Sequence, residues 1–322
     1  MSLAHAIAQE ARSLGFSAVG IAAVSRNPVP TTLYERLQEW LIRGFHGTMG
    51  WMARDPLRRA NPHLVLPGCR SLISVGMNYD TGHRATEGPG YGRIARYAWG
   101  KDYHRVLGER LKLLDARIHH LVPGIKTKAY VDTGPIMEKA WAQQAGIGWI
   151  GKHSNLVSPE FGSWLLLGEI LTTLELPPDV PSTDLCGSCS LCIQACPTGA
   201  IVQPYIVDAT RCISYLTIEY RGTVAEIPEE LSSRMANHIF GCDDCLDVCP
   251  FNLQGEQTTE PDFSPTSITL APRLDDLAGL DKIAFREAFG KSPVRRATLQ
   301  GLLRNVAIAR RNQEPQRCHP PA

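Results

Sequence analysis

Residues 186–197 read Cys186-Gly187-Ser188-Cys189-Ser190-Leu191-Cys192-Ile193-Gln194-Ala195-Cys196-Pro197. The spacing Cys-x2-Cys-x2-Cys-x3-Cys-Pro is the bacterial iron–sulfur pattern, in which three cysteines hold one cluster and the fourth serves its neighbour. A second run, Cys242-x2-Cys245-x3-Cys249-Pro250, repeats it without the first cysteine, and Cys212 is the spare thiol nearby. Two four-ligand sites need eight thiolates, and eight cysteines fall between Cys186 and Cys249. Exchanging fourth ligands, as two-cluster ferredoxins do, assigns Cys186, Cys189, Cys192 and Cys249 to one [4Fe-4S] cluster. Cys196, Cys212, Cys242 and Cys245 fall to the other. Cysteine pairs at this spacing also bind zinc, but the triplet with its trailing proline belongs to iron–sulfur sites. Disulfides between cysteines so close in sequence would close only short loops.

The surroundings fit an intracellular metalloprotein. The chain has 322 residues, with 33 basic against 32 acidic side chains (net +1) and 43% hydrophobic residues. A disordered or strongly charged solvating chain is therefore excluded. No apolar run approaches the roughly 20 residues of a membrane span. Met1–Gly15 carries His5, Glu10 and Arg12 and lacks the order of an export signal. A cytoplasmic protein without membrane attachment is expected. Cys69, after Pro67-Gly68, reads as a small buried hydrophobe, and Cys318 as an exposed thiol in a proline-rich tail.

Upstream of the cysteines, residues 1–180 alternate between helical and strand patterns, which points to an α/β domain. Helices are expected at Leu3–Leu14, Leu33–Gly44, Tyr103–Leu121 and Met137–Ala145. Strands are expected at Ser17–Val24, Ser71–Met77, Lys126–Asp132 and Ser163–Leu174. Pro177, Pro178 and Pro181 mark a linker to a ferredoxin-like domain over residues 181–255. Residues 256–322 form a C-terminal helical segment, with helices at Asp281–Phe289 and Pro293–Arg311. The fold class is thus multi-domain, of mixed α/β and α+β character.

Neither a phosphate loop nor a dinucleotide fingerprint after a strand is present; Gly146-Ile147-Gly148-Trp149-Ile150-Gly151 fits GxGxxG by letters but follows a helix. Asp102 reads as the cap of the helix after it rather than part of a cobalt-ligating Asp-x-His-x-x-Gly, since Gly108 comes one residue late. Asp132 closes a strand before Thr133-Gly134-Pro135. It is either a turn residue or a carboxyl group at a strand's end, able to act as a general acid if burial raises its pKa. Residues 291–311 hold Lys291, Arg295, Arg296, Arg304, Arg310 and Arg311 with no acidic residue. Arg295, Arg296, Arg310 and Arg311 are candidate phosphate contacts, against the alternative of a solvated helix face. Arg304-Asn305 lies among apolar residues and reads as structural.

Several segments together resemble the epoxyqueuosine reductase family. They are Ala98-Trp99-Gly100-Lys101-Asp102-Tyr103-His104, Val131-Asp132-Thr133-Gly134-Pro135, Ala145-Gly146-Ile147-Gly148-Trp149-Ile150-Gly151-Lys152, Cys212-Ile213-Ser214-Tyr215-Leu216-Thr217-Ile218-Glu219, Arg304-Asn305-Val306-Ala307-Ile308-Ala309 and both cysteine runs. The resemblance implies an N-terminal domain holding base-off cobalamin beside a ferredoxin-like domain with two [4Fe-4S] clusters. It implies a substrate, epoxyqueuosine at the wobble position of a tRNA, whose epoxide is reduced to the alkene of queuosine. It further implies Asp132 as proton donor, Arg59, Tyr97, His153, Leu156 and Ser214 as cofactor contacts, and a C-terminal segment related to HEAT-like helical repeats. An external low-potential electron donor (a ferredoxin or flavodoxin) and a monomeric state complete the expectation. Two other readings compete: a reductive dehalogenase-like corrinoid enzyme, and a ferredoxin-like electron carrier.

Overall fold

The computed structural model describes residues 2–25, 32–253 and 255–314; Cys318 lies outside them. Strands run β1 (Ala18–Ala23), β2 (Ser71–Asn78), β3 (Arg93–Ile94), β4 (Thr127–Tyr130), β5 (Trp149–Ile150), β6 (Leu156–Val157), β7 (Leu165–Thr172), β8 (Ile201–Gln203), β9 (Ile206–Val207) and β10 (His238–Phe240). The main sheet has the order β1-β2-β7-β4. Its middle strand β2 is buried at all eight positions, as its run of apolar and small residues requires when both faces are covered. On one face lies the helix Tyr103–Leu121, burying Val106, Leu107, Leu111, Leu114 and Ile118 at helical spacing. On the other, the helix Glu138–Gln144 packs against β1, β2 and β7.

Every pairing in this sheet is antiparallel. The α/β reading of residues 1–180 is therefore corrected: with an antiparallel sheet, this part is α+β. Alternation of helix and strand sets the order of elements, but strand direction depends on how each connection returns, which is a tertiary matter.

A second core joins distant stretches. Ile94, Ala98 and Trp99 pack with Ile218, Ile239 and Phe240, and with Leu274, Leu277, Phe289, Val294, Leu302 and Val306. β10 pairs in parallel with β3, carrying the cysteine-bearing segment onto the N-terminal part. Packing thus crosses both composition-based boundaries, at 180/181 and 255/256. The single helix expected at Pro293–Arg311 is split into a 3-10 turn, Pro293–Ala297, and an α-helix, Thr298–Gln313. The break falls at Thr298, whose backbone is left-handed (φ 64°). Arg304 and Asn305 are buried, as expected. Arg304 donates to the carbonyls of Leu216, Tyr220 and Gly222, and Asn305 to those of Thr217 and Ile239.

Candidate functional site

Asp132 follows β4 in a left-handed conformation (φ 58°). Its Oδ2 accepts from the Tyr103 hydroxyl at 2.7 Å and lies 3.1 Å from His104 Nε2 and 3.5 Å from an Arg296 nitrogen. Tyr103 and His104 open the long helix. Asp102 caps it by accepting from the His104 amide at 3.1 Å, and the same oxygen holds His104 Nδ1 at 2.8 Å. The turn before this helix is gripped by the C-terminal segment. Ser292 Oγ donates to Ala98 O, the Asp102 amide to Lys291 O, and Thr269 Oγ1 to Trp99 O.

Burial alone would raise the Asp132 carboxyl. Hydrogen bonds from His104 and Tyr103, with the charges of His104 and Arg296, outweigh it and hold Asp132 down at about 2. The condition set for a resident general acid, a pKa raised by burial, is not met: these partners favour the ionised carboxylate. For His104 burial works downward, and the hydrogen bonds to Asp102 and Asp132 overcome it, raising the imidazole to about 9. Sequence reading gave Asp102 its cap but assigned nothing to Tyr103 and His104. The available signal was an aromatic and an ionisable residue directly after a helix cap.

Beside these residues opens a cavity of about 840 Å³, lined by Tyr97, Tyr103, His104, Val131, Arg295 and Arg296 among others. Tyr97 stands edge-on to Tyr103 at 5.9 Å and next to Phe240 of β10, linking the cavity to the cysteine-bearing segment. Outside the cavity wall, the half-buried Glu138 is raised by loss of solvent and by the charge of Asp132, with Lys139 and Arg59 opposing. Arg59 is lowered by burial, and its Nε is buried without a hydrogen-bond partner. His153 and Leu156 are both 5% exposed. Burial, then the charge of Lys139, lowers His153 to about 4, so its ring is neutral. Ser214 is the second residue of the short helix Ile213–Ile218, whose N-cap position is Cys212.

The eight cysteines fall into two neighbourhoods. Burial raises the Cys192 thiol, and Cys186, Cys189 and Cys249 raise it further. Cys249 is raised by burial and then by Cys186 and Cys189. In the other neighbourhood burial raises Cys245, with Cys212, Cys196 and, more weakly, Cys192 adding to it. Cys242 is raised by burial, Asp244, Cys212 and Cys245. Donors approach the sulfurs: Trp149 Nε1 lies 3.4 Å from Cys186 Sγ, and the Ala200 amide 3.2 Å from Cys196 Sγ. Such contacts tune a cluster's potential. Cys189 is exposed. Cys69 is fully buried in an apolar cluster, as expected.

The basic residues near the C-terminus do not act as one uncompensated face. Arg296 sits between Asp132 and Glu219, the latter at 3.0 Å, and Arg295 lies 3.7 Å from Asp102, both at the cavity. Arg310 instead pairs with Asp275 at 3.3 Å, and Arg311 donates to Ser232 Oγ. The absence of acidic residues within 291–311 is therefore offset by acids from other elements, which a linear reading cannot see.

A family model described as "Epoxyqueuosine reductase QueG, DUF1730" matches residues 59–133, and one described as "4Fe-4S double cluster binding domain" matches residues 185–252. The epoxyqueuosine reductase of Synechocystis sp. is 44% identical over 289 residues, covering 89% of this chain and 98% of the relative. That of Escherichia coli (strain K12) is 45% identical over 314 residues, covering 95% and 80%. A crystal structure of epoxyqueuosine reductase with a tRNA-Tyr epoxyqueuosine-modified stem loop superposes at TM-score 0.87 with 33% identity, covering 95% of this chain and 80% of that one. The Bacillus subtilis enzyme, with its catalytic aspartate loop swung out of the active site, superposes at 0.87 with 32% identity and the same coverage. Near-complete alignment to such relatives, through both the Asp132 region and the cysteine runs, places the chain: it belongs to the epoxyqueuosine reductase family and is an oxidoreductase.

Proposed function

We propose that this chain reduces the epoxide of epoxyqueuosine, at the wobble position of a tRNA anticodon, to the alkene of queuosine, completing queuosine formation. The observation that carries the reading is the Asp132 carboxylate beside an 840 Å³ cavity, ringed by Tyr103, His104 and Arg296. The cavity falls in the size range of small-molecule sites and admits a nucleoside displaced from its stack. Arg295 and Arg296 at its edge would meet the adjoining phosphates, with Arg310 and Arg311 as outlying contacts.

The two thiol neighbourhoods support two [4Fe-4S] clusters, one on Cys186, Cys189, Cys192 and Cys249, the other on Cys196, Cys212, Cys242 and Cys245. All-sulfur donor sets suit iron. The exposed Cys189 makes the first the entry point for an external low-potential donor, a ferredoxin or flavodoxin. Base-off cobalamin is the remaining cofactor, and the residues fit it: Arg59 has a buried donor without a partner, and the neutral His153 and buried Leu156 lie close by in sequence to Lys139's partner Asn155. Arg59, Tyr97, Asp132, His153, Leu156 and Ser214 would hold it. When bound, it supplies the strong reductant that opening an unactivated epoxide demands. Asp132 passes a proton to the departing oxygen, and Tyr103 and Arg296, both in the cavity wall, hold its carboxylate. One copy carries every residue named, so a monomer suffices. The helices after residue 256 are read as a short relative of HEAT-like repeats. Among the described residues no helix is long and apolar enough to cross a membrane, and a cytoplasmic location fits a tRNA substrate.

The test is anaerobic reconstitution with iron, sulfide and cobalamin, followed by nucleoside mass spectrometry of tRNA carrying epoxyqueuosine. Queuosine that forms only with cobalamin, and not with Asp132→Ala, is the expected result. Turnover surviving Asp132→Ala would remove the aspartate's role. Intact clusters with neither corrinoid binding nor turnover would favour the electron-carrier reading.

A further inference from the structure

We infer that His104, oriented by Asp102, is the positioning residue that stores the proton Asp132 hands to the departing oxygen. The inference rests on the function proposed above.

His104 lies between two carboxylates, with Nδ1 at 2.8 Å from Asp102 and Nε2 at 3.1 Å from Asp132. A neutral imidazole has one N–H and can satisfy only one of them, whereas the imidazolium satisfies both. Asp102 is itself fixed by capping the helix, so its oxygen cannot turn away without uncapping the His104 amide. Asp132 already accepts the Tyr103 hydroxyl and faces Arg296. Every neighbour of its Oδ2 is thus a donor or a cation, which keeps a resident proton off it. The groups facing His104 are Asp102 and Tyr103 from its own helix start, Asp132 from the loop after β4, and Arg295 and Arg296 from the C-terminal segment. The ring itself bonds the two carboxylates, while Arg295 and Arg296 pair with those same carboxylates at 3.7 and 3.5 Å. The low value of Asp132 and the high one of His104 agree with this division.

The stoichiometry needs such a store. Epoxide to alkene consumes two electrons and two protons and releases water, and both carbon–oxygen bonds break. The electrons come from the external low-potential donor. As the first carbon–oxygen bond breaks, Nε2–H passes to Asp132 and the Asp132 proton passes to the oxygen, leaving His104 neutral. Its side chain is 27% exposed, so solvent can recharge it. The second proton follows the same route as the hydroxyl leaves as water.

The test uses the holoenzyme. In single-turnover reactions with epoxyqueuosine tRNA, His104→Gln keeps a donor toward Asp132 but carries no proton. We expect the rate to fall by about 10²–10⁴-fold and the alkaline decline of the wild-type pH profile to vanish. Bound corrinoid absorbance and stem-loop binding check that the variant is folded. Independently of turnover, histidine-labelled wild-type protein should show a ring titrating near 9 that moves toward the ordinary histidine range in Asp132→Asn. A His104 midpoint near 6.5 in the wild type, or unchanged rate and profile in His104→Gln, would overturn the inference. A wild-type enzyme that makes no queuosine would defeat the functional reading instead, and the ring titration would still decide where the proton resides.

Discussion

At Asp132 the backbone adopts a conformation that L side chains rarely take. The contacts around its carboxylate hold it there, so strain and function meet in one residue. The same contacts link stability to pH. His104 is raised from 6.5 to about 9, so its contribution is full below 6.5 and is lost as pH rises through 9. Asp132 is lowered from 3.8 to about 2, so its contribution is present above 3.8 and is lost as pH falls toward 2. Replacing Asp132 with Asn removes one of the two carboxylates that raise His104. The drop in melting temperature between pH 6.5 and 9 should therefore be smaller in Asp132→Asn than in the wild type, as thermal melts across that range would show. The aspartate was legible as a carboxyl at a strand's end. Its ionisation was not, because its partners lie 28, 29 and 164 residues away in sequence. The cysteines were legible since their chemistry is encoded in local spacing.

Among the elements, close packing of the sheet under the helix Glu138–Gln144 depends on Gly20 of β1. A Cβ there would stand 1.9 Å from the Ala145 carbonyl oxygen, a backbone atom that can yield only if the helix end moves with it. Gly20→Ala should cost about 1–3 kcal/mol as overpacking and lower the melting temperature, with the helix end displaced from the sheet. A melt unchanged from the wild type would show that the helix end moves freely. The expected helices and strands of residues 1–180 correspond to observed ones because apolar periodicity reports which face is buried. Strand direction escaped that signal, and so did the break at Thr298, where no glycine marks the left-handed turn.

For the molecule as a whole, the C-terminal helix is an internal strut. Arg304 reaches three carbonyls around the helix Ile213–Ile218 and the loop after it, and its ring neighbour is Tyr220, 5.4 Å from the guanidinium carbon. Arg304→Met keeps much of the volume but leaves those carbonyls unpaired, at a cost of about 1–3 kcal/mol for each one that water cannot reach. Limited proteolysis should then cut the 213–223 stretch sooner than in the wild type, while equal resistance would mean that water replaces the guanidinium. The buried Arg304-Asn305 pair was legible from its apolar neighbours, but what it ties together was not.

The second core also sets an order of assembly. Ile94 and Trp99 meet Ile239 and Phe240 early, but their core is complete only when Leu302 and Val306 have left the ribosome, and closing so long a loop is slow. The cysteine-bearing stretch is made well before that. Iron and sulfide therefore have an interval in which to reach the thiols before the helix Thr298–Gln313 seats Ile308 in the apolar cluster that packs against Cys212 and Cys242.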